Sequence, residues 1–107
     1  MTASVLVGVG WYSEEQWTML KLLADDPGSL DETYKKWEAG AQKALGELRK
    51  QPGIEAIKFP VDVEALRRWC RERGKPLDGA SRAEYIAEGV QRMAKSGHQT
   101  QHNDDLA

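Results

Sequence analysis

Cysteine is almost absent: Cys70 is the only one in 107 residues. No disulfide can form within the chain, which predicts a reducing, cytoplasmic setting. Long apolar runs are also missing. Val5 to Val9 is far too short for a signal peptide or a membrane span, and no Lys or Arg precedes it. The expectation is a chain with no membrane partner. Neither sign of charge is in surplus, since 15 Lys and Arg stand against 17 Asp and Glu, a net of -2. Dedicated nucleic-acid binders carry a basic excess, so nucleic acid is expected less than protein as a partner, and only through a local patch. Histidine occurs twice, at His98 and His102.

What is present suffices for one domain. A chain of this length buries roughly 65% of the surface its unfolded form exposes, without disulfides or a structural metal. Val5, Val7, Val9 and Trp11 alternate with Ser4, Leu6, Gly8 and Gly10, which predicts a strand with one bulky and one flat face. Glycines on one strand face mark close approach by another backbone or a packed helix. Ser13 then opens a helix with Gln16 as the second half of a capping box, and Tyr12 is placed to staple Trp17. Asp25-Asp26-Pro27-Gly28 ends it.

Ser29 to Glu32 repeats the capping grammar and predicts a second helix with the stripe Leu30, Tyr34, Trp37, Ala41, Ala44, Leu45 and Leu48. Pro52-Gly53 stops it, and Ile54 to Val61 alternates as a second strand, with Pro60 at an edge. Asp62 caps a third helix whose inner face is Val63, Leu66, Trp69 and Cys70. A fourth carries Ala83, Ile86, Ala87, Val90, Met93 and Ala94. The expected fold is α+β and helix-rich, two short strands and four helices in the order β-α-α-β-α-α. Residues 1–96 form the domain and 97–107 a disordered tail. The expected core is Trp17, Leu20, Tyr34, Trp37, Leu45, Leu48, Phe59, Leu66, Trp69, Ile86 and Val90.

Few residues suggest chemistry. Val-Gly-Val-Gly before a helix has the outline of a phosphate loop. It lacks the third glycine of a dinucleotide fingerprint, and Glu14 and Glu15 already occupy the helix N-terminus that an anion would need. The glycines are therefore read as structural. Cys70 has Arg67, Arg71 and Arg73 close in sequence, yet shares a stripe with Leu66 and Trp69 and has no nearby histidine, so it reads as core. His98 and His102 have metal-ligand spacing in a segment with nothing to pre-organise them. No catalytic, cofactor or metal residue is expected. The candidate interaction surface is Trp11, Tyr12, Lys58, Arg67, Arg71, Arg82 and Tyr85.

Val7-Gly8-Val9-Gly10-Trp11-Tyr12, Tyr34-x-x-Trp37, Trp69-Cys70 and Arg82-Ala83-Glu84-Tyr85 together resemble a small bacterial domain family with no known function. That resemblance spans about residues 4–95 and implies no activity. Residues 55–95 are also similar to a ribbon-helix-helix unit, through Ile57-Lys58-Phe59-Pro60, the helix ending at Gly74, and Ser81 to Ile86. Such a family implies a strand paired across a dimer in the DNA major groove. Lys75–Ala80 is longer than that turn normally is, and Lys58 is the strand's only cation. The leading expectation is a non-catalytic protein-interaction domain, homodimeric because the first strand, Ser4 to Trp11, carries no charge or proline to protect an edge. The alternative is a DNA-binding regulator.

Overall fold

The computed structural model describes residues 4–106, with side chains as far as Lys95. The order is β1 (Val5–Trp11), α1 (Glu14–Leu23), a 3-10 turn (Pro27–Ser29), α2 (Tyr34–Arg49), β2 (Ile54–Pro60), α3 (Val63–Glu72) and α4 (Gly79–Leu106). The fold is α+β, in the expected order. The proposed tail and both histidines lie outside the residues whose side chains are described.

The helix ends follow local chemistry. Ser13 Oγ accepts the Gln16 N–H at 3.2 Å, and Asp62 Oδ1 accepts those of Glu64 and Ala65. Tyr12 and Trp17 form the staple with ring centroids 6.0 Å apart. Two details differ from expectation. The Gln16 side chain does not return to Ser13; its Oε1 accepts the Val63 N–H at 2.7 Å and so ties α1 to the start of α3. Nor does Ser29 cap α2, because its hydroxyl donates to the Asp26 carbonyl and carboxylate at 2.8 and 2.9 Å. Thr33 takes over the cap, accepting the Lys36 N–H, and α2 starts at Tyr34.

β1 and β2 pair in parallel, from Val5 opposite Ile54 to Trp11 opposite Pro60. The helical excursion between them gives a parallel partner the crossover it needs. One sheet face lies under α4 and the other carries α2, where Trp11 meets Trp37 edge-on at 5.4 Å. The flat face of β1 is the α4 face. A Cβ on Gly8 would overlap Val90, and one on Gly10 would sit 2.5 Å from Ile86 Cδ1. Gly89 of α4 in turn leaves room for the Phe59 ring of β2, since a Cβ there would overlap it. The helix thus beds into the sheet through missing side chains on both partners.

The core gathers Tyr12, Trp17, Leu20, Val61, Val63, Leu66, Trp69, Cys70 and Leu77 where α1, α3 and the loop before α4 meet the strand ends. Leu20, Val63 and Leu66 are fully buried, each contributing about 1.5–3 kcal/mol. Of the expected core, Trp17, Leu20, Leu45, Leu66, Trp69 and Val90 are buried. Tyr34, Trp37, Leu48, Phe59 and Ile86 are only half-buried. The expected α4 stripe divides as well: Ile86 and Val90 face the sheet, while Ala83, Ala87, Met93 and Ala94 are exposed.

Asp25 and Asp26 do more than end α1. Asp25 accepts the Leu77 N–H at 2.7 Å and donates its own to the Leu77 carbonyl at 2.9 Å. Asp26 receives Arg82 through two nitrogens, at 2.8 and 3.2 Å, and the Gly79 N–H at 3.0 Å. This clasp holds the N-terminus of α4 against the end of α1.

Candidate interaction site: the open edge of β1

The expected surface residues do not form one exposed patch, although Trp11 and Lys58 meet. Tyr12 is 5% exposed and belongs to the core, where burial pushes its phenol up to about 12. Its carbonyl accepts the Tyr34 hydroxyl at 3.2 Å. Trp11 is half-buried, and Lys58 Nζ lies 4.4 Å from its ring centroid on the α2 side of the sheet. Arg82 is held by Asp26. Tyr85 packs between Phe59 and Trp69, with centroids at 6.4 and 5.7 Å. Arg67 is half-buried on α3, and Arg71 is exposed one turn later.

Two further cations near α3 have acidic neighbours. Lys75 pairs with Glu84, and Arg73 lies 3.6 Å from Glu88 while its guanidinium sits over the Trp69 ring. Such half-exposed pairs are worth little individually, about 0–1 kcal/mol. Cys70 is buried, and burial pushes its thiol above the usual range. A thiolate nucleophile there is disfavoured. Among the described residues, no group of three His, Cys, Asp or Glu side chains could hold a metal ion. No helix among them is long and apolar enough to cross a membrane. Gly8 and Gly10 point their missing side chains at Ile86 and Val90, so that face holds a helix rather than a phosphate.

The sheet also carries a feature that residue chemistry did not flag. A groove of about 410 Å³ runs beside β1, floored by Leu6, Val7 and Gly8 and walled by Ala83, Ala87, Val90 and Gln91 of α4. The ladder fixes which backbone groups face it. The Val5 N–H donates to the Gly53 carbonyl at 2.8 Å, and the Trp11 carbonyl accepts the Val61 N–H at 2.9 Å. In a parallel ladder alternate residues bond to the partner, so Val5, Val7, Val9 and Trp11 serve β2. The N–H and C=O groups of Leu6, Gly8 and Gly10 therefore point away from β2, along an edge that pairs with no other strand among the described residues.

The two outer edges are unlike. On β2 the Ala56 carbonyl accepts Arg49 Nε at 3.2 Å, the Ile54 N–H donates to Gln51, and Pro60 has no N–H to offer. These devices block further pairing. On β1, no charge lies between Ser4 and Ser13, and Val5 is 62% exposed. The signal was legible in the sequence as a strand without gatekeepers. Its position beside an α4 groove was not, because that depends on which edge β2 occupies. No family model, curated protein or solved structure matches the chain.

Proposed function

We propose that this domain is a non-catalytic protein-interaction module that works by strand addition. An extended segment pairs with the open edge of β1, and its side chains enter the groove between that edge and α4. The observation that carries the reading is the row of outward N–H and C=O groups at Leu6, Gly8 and Gly10, next to an apolar groove. Strand addition takes its affinity from such main-chain groups and its specificity from adjacent pockets at alternate side-chain positions. The uncharged strand and apolar walls favour a segment rich in aliphatic residues. A homodimer is the simplest assembly of this kind. The cytoplasmic setting expected from the lone cysteine is compatible with it.

The DNA-binding alternative has less support. In that reading β2 forms the antiparallel ribbon of a dimer, whereas here it is bonded in parallel to β1, and Lys58 is engaged over Trp11. Amide exchange tests the leading reading. At low micromolar concentration, a synthetic peptide of residues 4–13 and an alternating Val-Thr decapeptide are added separately. Slowed exchange at Leu6, Gly8 and Gly10 with either one is the expected result. If those three amides exchange like free ones with both peptides, and also at high protein concentration, the strand-addition reading is wrong.

A further inference from the structure

Building on the strand-addition reading, we infer that the segment received by β1 is the β1 of a second copy, paired antiparallel about a twofold axis through Gly8. β1 runs from Val5 to Trp11, so Gly8 is its midpoint, and this register overlaps the two strands fully. It places Gly8 opposite Gly8 and Leu6 opposite Gly10 of the second copy. These are the residues whose N–H and C=O groups point outward, and in an antiparallel ladder directly opposed residues of this kind exchange both hydrogen bonds. No backbone group on the edge is left over within the strand.

The side chains are self-complementary in the same register. On the α4 face, Leu6 comes to lie opposite Gly10, the position without a side chain, and Gly8 meets Gly8. On the other face, the exposed Val5 comes opposite Trp11, and Val7 opposite Val9. Each opposed pair is apolar, and the uncharged span from Ser4 to Ser13 brings no like charges together. β2 is a poorer donor strand, because it carries Glu55, Lys58 and Pro60.

A twofold axis normal to the sheet brings both α4 helices to the same side. α4 straddles β1 and β2, touching Gly8 and Gly10 through Ile86 and Val90 and Phe59 through Gly89. The sides that then face one another carry Ala83 and Ala87, exposed in the single chain. Helices in contact lie about 8–10 Å apart, the lower figure needing small side chains, which these alanines supply. The result is a four-stranded sheet, β2-β1-β1-β2, whose outer edges are the two protected by Arg49 and Pro60. Symmetric self-complementary contacts of this kind close at two copies instead of propagating.

Light scattering on the full chain at 10–100 μM (concentrations on the order used for modest dimers) measures the outcome directly. The expected mass is twice 12.0 kDa. Ala87→Glu, at an exposed position outside the core, places like charges across the axis and is expected to weaken the dimer by about tenfold or more, with an unchanged circular dichroism spectrum. Val5→Glu, also exposed, is the second variant and is expected to act the same way. A wild-type mass of 12.0 kDa throughout overturns the inference. So does a dimer that neither variant weakens, because another surface then holds it. Strand addition survives the first result if either decapeptide still slows exchange at Leu6, Gly8 and Gly10. It falls only if those amides stay unprotected in every arm.

Discussion

Replacing Asp26 with Asn tests the clasp between α1 and α4 without changing side-chain size. Arg82 holds the Asp26 carboxyl down to about 2, chiefly through its hydrogen bonds, with Ser29 and the Gly79 N–H assisting and partial burial opposing. The ordinary value is 3.8. That gap corresponds to roughly 2.5 kcal/mol of preferential stabilisation of the charged form. The Asp26 side chain is 29% exposed and that of Arg82 13%, so solvent screening lowers the expected effect to about 1–1.5 kcal/mol. A carboxyl whose value is depressed on folding stabilises the protein above its unfolded value and loses that contribution as pH falls through the folded one. Asp26→Asn is therefore expected to cost about 1–1.5 kcal/mol at pH 7, with the gap from wild type closing between about pH 4 and pH 2. Urea unfolding followed by tryptophan fluorescence at several pH values measures it. A double-mutant cycle with Arg82→Gln is expected to show a coupling of about 1 kcal/mol. A gap that stays constant down to pH 2, or single effects that simply add, would falsify this account of the clasp.

The glycines divide into two sets with opposite expected outcomes. Gly40 and Gly46 in α2 have nothing within 4 Å of a Cβ, so Ala at either is expected to raise stability by about 0.5–1 kcal/mol. Gly8→Ala and Gly89→Ala drive a methyl into Val90 and Phe59 and are expected to cost about 1–3 kcal/mol in denaturant melts; equal effects across the two sets would contradict the packing described. Cys70 is expected to react with an aromatic disulfide reagent on the order of 100-fold more slowly in the native protein than in urea, and equal rates would mean that its pocket opens readily.

The sequence alone determined the elements whose causes are local. Ser13 and Asp62 cap because their oxygens reach amides two or three residues away. The alternation from Val5 to Trp11 marks a strand whatever it pairs with, and two glycines on one face require something close above them. Tertiary structure decided everything that joins distant residues. Ser29 has the capping pattern but turns to Asp26, so the cap of α2 falls four residues later, at Thr33, and the helix starts at Tyr34. Gln16 has the right spacing to complete its box and instead receives the Val63 N–H, 47 residues on. Tyr12, adjacent to a cap and polar at its tip, goes into the core because the rings of Trp17 and Trp37 pack edge-on against it. The candidate site belongs wholly to this second kind. An unprotected strand is visible in one dimension, but which of its two edges stays open depends on where β2 pairs. What lies beside that edge depends on where α4 is clasped. Both are set by contacts across 45 or more residues, for which local periodicity and capping carry no signal.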